Sequence, residues 1–360
     1  MLAKPIDGAT PEDLSQRDRI EDAQCVVWAP PASPSAPDTL VETETALLDL
    51  GRTLKALGYQ FTTITPASHA RVVARKVECP ASLVDIFGWS RPFRADALDA
   101  RISKHASAAG IFELEGVWRR SSVRFSTIED QLYVHSAYPT QQTDDVFFGP
   151  DTYRFCRAIN SAVAEMAFGN RNRPFRILDV GAGSGAGGLH AASLAAHMRP
   201  AITLTDINPR ALRYCRINAA INGIENVNIV GSDLFREVRG SYDLIVANPP
   251  YLVDELARTY RHGGGALGSA LSLRIIREDV PRLAPGGRLV LYTGSAILNG
   301  RDHLHEAVAE WSSGQGLRIS YEEIDPDVFG EELDHPPYDR VDRIAVVSVT
   351  IDVQGAEYAP

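Results

Sequence analysis

The sequence predicts an α/β fold: a doubly wound, mostly parallel sheet of seven strands, preceded by a smaller α+β N-terminal domain. Three observations predict it. From Phe175 onward, short apolar runs alternate with helical patterns: RILDV, ITLTDI, VNIVGSD, YDLIVAN and GRLVLYT. That alternation makes a parallel sheet with crossover helices. LRISYEEI and DRIAVVSVTI then follow as two more strands, joined by an acidic, proline-containing loop, so the sheet is expected to close on a hairpin. The residues before about 145 lack this alternation and read as something separate. The order of strands is not visible in the sequence.

Composition agrees with a packed fold. The chain has 360 residues, 44% hydrophobic and 23% charged, enough for one large domain and a smaller partner. No run approaches the ~18 apolar residues of a membrane helix, and the polar start MLAKPIDGATPEDLSQRDRI has no apolar stretch of secretory type. A cytoplasmic protein with no membrane partner is expected. Cys25, Cys79, Cys156 and Cys215 are scattered without C-x-x-C spacing, which reads as reduced structural thiols and no metal site. The net charge of −10 lacks the basic footprint of most nucleic-acid binders. DNA is not expected as a partner, and RNA is disfavoured without being excluded.

Along the chain, residues 1–38 read as a flexible arm, because APPASPSAPD is too rich in proline, serine and alanine to bury much surface. Residues 39–145 form the N-terminal domain. Leu40, Leu47, Leu50, Leu54 and Leu57 recur at roughly helical spacing, so the sequence predicts a helix over Thr39–Leu57 ended by Gly58. Short helices follow near Ser68–Lys76 and Ser82–Phe87, then a β-region in GVWRRSSVRFSTIEDQLYVHSAY. Nothing in this domain reads as catalytic, which leaves substrate recognition as its expected role. Residues 146–360 carry the site.

Four elements of that second domain carry chemistry. In LDVGAGSGAGG a strand ends at Asp179–Val180, and Gly181, Gly183 and Gly185 precede a helix. Glycines there let the backbone pass close to a ligand, and the helix start offers free N–H groups. Gly181, Gly183 and Ala186 also satisfy the dinucleotide fingerprint, so this element alone leaves NAD open. Asp206, in LTDINPRAL, ends the next strand. It can accept both ribose hydroxyls of an adenosine, or merely cap the next helix. Asp233, in GSDLF, could accept from an adenine amino group or serve a turn.

The fourth element is decisive. Asn248-Pro249-Pro250-Tyr251 follows directly on the apolar strand YDLIVA. Two prolines fix φ and make the turn rigid. The Asn248 amide oxygen and the Pro249 carbonyl are then two fixed acceptors for a planar –NH₂ group. They favour the positive charge that nitrogen gains as it attacks a methyl. Tyr251 can stack on a flat substrate.

With these motifs in place, the run from about Val146 to Ser295 resembles the N-acting branch of class I S-adenosylmethionine-dependent methyltransferases. It is most similar to the release-factor glutamine methyltransferases (the HemK/PrmC group) and to the small-domain methyltransferases acting on guanine in ribosomal RNA. DVGAGSGAGG, TDINPRAL, NAAINGIENV, GSDLF, DLIVANPPY and LAPGGRLVL stand in the family's order and cover about two-fifths of the chain. The resemblance implies a Rossmann-like methyltransferase sheet and S-adenosyl-L-methionine as cofactor. It implies that Gly181, Gly183 and Gly185 cradle the methionine end of the cofactor. Asp206 would hold the ribose, Asp233 with Leu234 the adenine, and Asn248 the target nitrogen, with Asp179, Ala182 and Ile207 also among the cofactor-binding residues. Phe148, Pro150 and Thr152 of VFFGPDTYRF match the segment that covers the cofactor. Two stretches depart from the family: the first 145 residues, and the loop LVDELARTYRHGGGALGSAL after Tyr251.

The expected function is therefore methyl transfer to a planar amide or amino nitrogen. A protein glutamine side chain or a small-molecule amide stands ahead of an rRNA or tRNA base on the acidic charge. A NAD-dependent oxidoreductase is a distant alternative that leaves Asn248–Tyr251 unexplained, and a non-catalytic binding relic is opposed by the intact turn. No general base is assigned. His262 is expected to be a surface or lid residue, and His335-Pro336-Pro337-Tyr338 to be loop.

Overall fold

The computed structural model describes residues 37–75, 82–140, 142–166, 173–254, 258 and 260–354. The arm assigned to residues 1–38 lies outside them except for its last two residues, which open a helix. Lys76, Cys25 and Cys79 also lie outside.

The N-terminal region begins with α1 (Pro37–Ala56), α2 (Pro66–Val73) and α3 (Leu83–Phe87). Helix α1 buries Leu47, Leu50 and Leu54 as the spacing predicts, but Leu40 and Leu57 are exposed. They sit at the helix ends, off the packed stripe. Gly58, at φ +70°, follows the last turn. Next come β1 (Phe93–Arg94), α4 (Ala100–Ala108), β2 (Phe112–Glu115), β3 (Trp118–Ser121), β4 (Val123–Ile128) and β5 (Gln131–Ser136). Strands pair in the order β1-β3-β2, while β4 and β5 form an antiparallel hairpin of their own. The expected β-region is thus two small sheets.

The second region begins with α5 (Pro150–Ala164) and β6 (Arg176–Val180), then α6 (Ala186–Leu194), β7 (Ala201–Asp206), α7 (Pro209–Ile221), β8 (Val227–Gly231) and β9 (Tyr242–Ala247). After these come α8 (Ala270–Asp279), β10 (Leu283–Leu298), β11 (Arg301–Asp302), α9 (His303–Ser312), β12 (Arg318–Asp325) and β13 (Arg343–Asp352). The sheet runs β12-β13-β10-β9-β6-β7-β8, with the short β11 paired to β10. Pairing is parallel from β10 to β8, and β13 is antiparallel to both β10 and β12. The expected strands and the closing hairpin are all present, in a doubly wound, Rossmann-like arrangement.

Alternation along each central strand feeds two cores. Ile177, Leu244 and Val246 pack with α5 and α6 on one face. Leu178, Ile245 and Ala247 pack with α8 and α9 on the other. Register sets the site: Val180 pairs with Thr205 and with Ala247, and Asp206 with Gly231. The carboxyl ends of β6, β7, β8 and β9 therefore finish level, which is where open α/β sheets bind ligands.

The N-terminal elements are built into this body. The described residues from Val41 onward form one compact unit. Leu47, Leu50, Leu54 and Phe125 share a core with Ala211, Tyr214, Ile217 and Ile221 of α7. The division drawn at 145 therefore falls within continuous packing and not at a linker. Long-range packing of this kind leaves no composition shift in the sequence.

Candidate active site

The carboxyl edge of the sheet opens into a cleft of about 1030 Å³. Phe148, Thr152, Asp179, Gly181, Ala182, Gly183, Asp206, Ile207, Asp233, Leu234, Asn248, Pro249 and Tyr251 all line it. Gly185 does not. Its Cα turns into the core, where a Cβ would meet Leu189, Cys215 and Leu204 at 3.2–3.3 Å.

Gly181, Gly183 and Gly185 all take positive φ, +65°, +56° and +79°, so the loop needs glycine for its backbone. A Cβ on Gly181 would meet nothing within 4 Å, so that face looks into open space. The Asp206 carboxylate fixes the loop: Oδ2 accepts from Gly183 N–H at 2.8 Å, and Oδ1 accepts from Asn208 N–H at 2.8 Å. Asp206 is not the cap of α7. Asn208 is, accepting from Arg210 N–H at 2.9 Å. Burial raises the Asp206 carboxyl above its ordinary range, opposed by the N–H groups of Asn208, Gly183 and Ile207. Beside it Ile207 is 46% exposed, an apolar face offered to the cleft.

Asp179 lies beneath the loop. Its Oδ2 accepts from Gly188 N–H at 2.7 Å. Burial pushes its carboxyl up to about 7, with the Gly188 bond opposing and the Asp206 charge adding. Asp233 is placed where the sequence puts it, but its carboxylate is already gripped by Arg274 through Nη1 at 3.0 Å and Nη2 at 3.2 Å. Leu234 follows in the left-handed region, φ +50°. Phe148 is buried and stacks on His135, centroids 4.7 Å apart and tilted 14°. Thr152 Oγ1 accepts from Gly149 N–H at 3.2 Å, locking the start of α5.

Asn248 is half-buried. Among the described residues, none hydrogen-bonds its side-chain amide or the Pro249 carbonyl. The turn around it is heavily braced. Tyr251 Oη donates to Asp151 Oδ2 at 2.7 Å, and Tyr292 Oη donates to Asp151 Oδ1 at 2.9 Å. The Tyr251 ring lies against Gly294 and edge-on to Phe329, 7% exposed. It is thus first a wall of the cleft, where the sequence suggested a stacking platform.

The loop after the turn packs directly on its backbone. A Cβ on Gly263 would fall 2.6 Å from Pro250 O, and one on Gly268 would fall 2.1 Å from Tyr251 O. Only glycine permits that approach. His262 is a brace and no free lid residue: its Nδ1 accepts from Asp254 N–H at 3.1 Å. The loop 335–338 contributes too, as Tyr338 Oη accepts from Val253 N–H at 2.9 Å. Sequence reasoning missed Asp151, Tyr292 and Tyr338, whose partners are distant in the chain and leave no local signal. It also missed the cleft's N-terminal wall, which includes Thr63, His69, Arg124 and Tyr138.

Fold and site together define a doubly wound, Rossmann-like domain with a ligand-sized cleft at the carboxyl edge of its sheet. In comparison with known proteins, residues 166–312, about two-fifths of the chain, match the methyltransferase small domain family. The chain is 36% identical over 126 residues to a release factor glutamine methyltransferase of Deinococcus radiodurans, covering 32% of this chain and 44% of that protein. It is 31% identical over 141 residues to ribosomal RNA small subunit methyltransferase C of Salmonella choleraesuis, covering 38% and 37%. The match thus spans less than half the length of either relative. A solved SAM-dependent methyltransferase from Agrobacterium tumefaciens overlaps 68% of this chain and 76% of its own at 18% identity, TM-score 0.43.

Proposed function

We propose that this chain is an S-adenosylmethionine-dependent N-methyltransferase that methylates a planar amide or amino nitrogen. One observation carries it: the unpartnered Asn248 amide stands on a braced turn, in the same cleft as the glycine loop and Asp206. Asp179 and the left-handed glycine loop suit the charged methionine end of the cofactor. The Asp206 carboxylate suits its ribose hydroxyls, and Ile207 and Leu234 offer apolar faces to the adenine. When bound, the cofactor supplies an electrophilic methyl group on a sulfonium. Asn248 Oδ1 and the Pro249 carbonyl would accept from the two hydrogens of the acceptor –NH₂. Both bonds strengthen as the nitrogen becomes positive, so they favour the transition state over the ground state.

The acceptor is a protein glutamine side chain or a small-molecule amide in this reading, with the acidic chain weighing against an RNA base. The N-terminal wall of the cleft would select it. A cytoplasmic setting belongs to the same reading, supported by buried free thiols at Cys156 and Cys215. The test is incubation with labelled S-adenosylmethionine and cell extract separated into protein, RNA and small-molecule fractions. Label entering protein or small amides supports the assignment. Label confined to RNA moves the acceptor to a base, and no transfer to any fraction removes the activity.

A further inference from the structure

Four arginines line the cleft among its described residues: Arg124, Arg154, Arg258 and Arg261. Three face carboxylates. Arg154 pairs with Asp325 at 2.7 Å and with Asp151 at 3.2 Å, Arg258 with Asp254, and Arg261 with Glu332. Arg124 differs. It is 3% exposed, on strand β4 in the N-terminal wall. Its Nε donates to Gly88 O at 2.6 Å, and its guanidinium lies over the Phe61 ring at 5.1 Å. Its Nη2 is buried without a hydrogen-bond partner, and Nη1 has none among the described residues. The ionisable groups that oppose its desolvation are tyrosines: Tyr59, Tyr153 and Tyr138.

A buried guanidinium without a counter-ion is costly, and proteins rarely keep one unless something pairs with it. Its neighbours do not supply the missing charge. His69, also on this wall, is 5% exposed with Nδ1 unpartnered. Its ring lies 4.8 Å from Tyr138 and 5.5 Å from Trp89. The charges acting on His69 are Arg124, Arg91 and Arg120, all positive, and with burial they keep it neutral. Arg91, unlike Arg124, has a counter-ion, Asp85 at 3.3 Å, and donates to the carbonyls of Val72 and Val73.

We propose that Arg124 is the anchor for a carboxylate on the methyl acceptor, held by Nη1 at the N-terminal wall of the cleft. The inference rests on the methyl-transfer reading of this cleft and narrows its substrate class to amides that also carry a carboxylate. The charged Nη1 N–H groups make a short, strong hydrogen bond to a carboxylate oxygen, and the charge of the carboxylate supplies the missing counter-ion. A phosphate dianion would call for a second free cation, and the other cleft arginines are already paired. This gives the N-terminal region a physical means of selection: it measures the distance from a carboxylate to the nitrogen at Asn248.

The test uses the full chain with isotope-labelled histidine. Acetate and inorganic phosphate are titrated separately while the His69 ring signal, assigned with His69→Gln, is followed by NMR. Acetate should move the signal saturably in the wild type. Arg124→Gln should weaken that response at least about tenfold, and Arg124→Lys should weaken it less. The melting temperature of Arg124→Gln should fall little, since the charge removed has no protein counter-ion and the loss is confined to the bond to Gly88 O and the contact with Phe61. A wild type blind to acetate, an Arg124→Gln variant that responds equally, or tighter binding of phosphate than of acetate would each overturn the proposal. Should Arg124→Gln not fold, the wild-type titrations and Arg124→Lys still decide. S-adenosylmethionine binding is measured on the same samples: its absence would overturn the methyl-transfer reading while the anion result stands on its own.

Discussion

The Tyr251 hydroxyl donates to Asp151 at 2.7 Å, tying the Asn248–Tyr251 turn to the first turn of α5. The two residues are 100 positions apart. Asp151 also accepts from Tyr292 on β10 and from Arg154, so one buried carboxylate joins the turn, the sheet and the helix that walls the cleft.

Tyr251→Phe tests this tie. The ring stays and only the donor is lost. A hydrogen bond to a charged group is worth ~1.5–3 kcal/mol, part of which appears as looser positioning of Asn248. Turnover should fall by roughly tenfold, with S-adenosylmethionine affinity within a few-fold of wild type. Steady-state kinetics beside calorimetry separates the two. Unchanged turnover would mean that the prolines alone hold the turn.

Asn218 makes a second long-range clasp. Its Oδ1 accepts from Val134 N–H at 2.7 Å, and its Nδ2 donates to Val134 O at 3.0 Å and to Ser184 O at 2.8 Å. Asn222, one turn later, repeats the pattern on Leu132. Helix α7 thus stands in for a neighbouring strand beside β5. Asn218→Ala strands one buried N–H and two carbonyls, each costing ~1–3 kcal/mol. Chemical denaturation should show a lower midpoint with an unchanged slope. A chain beginning at Val146 should be insoluble, because it uncovers Tyr214, Ile217 and Ile221. A soluble, cofactor-binding product would show that the N-terminal elements are separable.

How much of this the sequence reveals depends on distance along the chain. The glycine loop, Asp206 and the Asn248 turn are legible because each is a local strand-to-turn signal. Asp206 is also an example of an ambiguity that only geometry resolves, since a strand-end aspartate and a helix cap look alike until Asn208 takes the cap. Asp233 was legible as a position but not as a partner of Arg274, which comes from α8, about 40 residues further along the chain. Asp151, Tyr292 and Arg124 acquire meaning only when the sheet and the N-terminal wall bring them to one cleft.

Asp179 predicts a pH dependence. Its folded pKa is raised from the ordinary 3.8 to about 7. A raised acid binds its proton more tightly when folded, so its stabilising contribution is present below about pH 4 and is lost as pH rises through about 7. Stability of the ligand-free protein should therefore fall across that window, and Asp179→Asn should flatten the profile. A cation bound nearby favours the ionised carboxylate. S-adenosylmethionine affinity should rise with pH through about 7 in the wild type and lose that rise in Asp179→Asn. Melting curves and calorimetry across the same buffers check both.

Asp206→Ala removes the acceptor for Gly183 N–H and, in the proposed reading, the acceptor for the ribose hydroxyls. At ~1.5–3 kcal/mol for a charged hydrogen bond, S-adenosylmethionine affinity should drop roughly ten- to a hundredfold. The fold should persist, because the residue ends a strand and does not cap α7. Unchanged affinity in calorimetry would assign Asp206 to the loop alone.

The central claim is that the Asn248 amide holds the nitrogen that is methylated. The most direct measurement is methyl transfer from labelled S-adenosylmethionine to the acceptor found by fractionation, comparing wild type with Asn248→Ala. Removing one preorganised partner of a developing charge costs ~10²–10³ in rate. The variant should lose turnover by that factor while binding S-adenosylmethionine within a few-fold of wild type, since the interaction strengthens in the transition state. An Asn248→Ala protein that methylates the same acceptor at the wild-type rate would contradict the account, and the turn would then be a structural feature of a cofactor-binding fold.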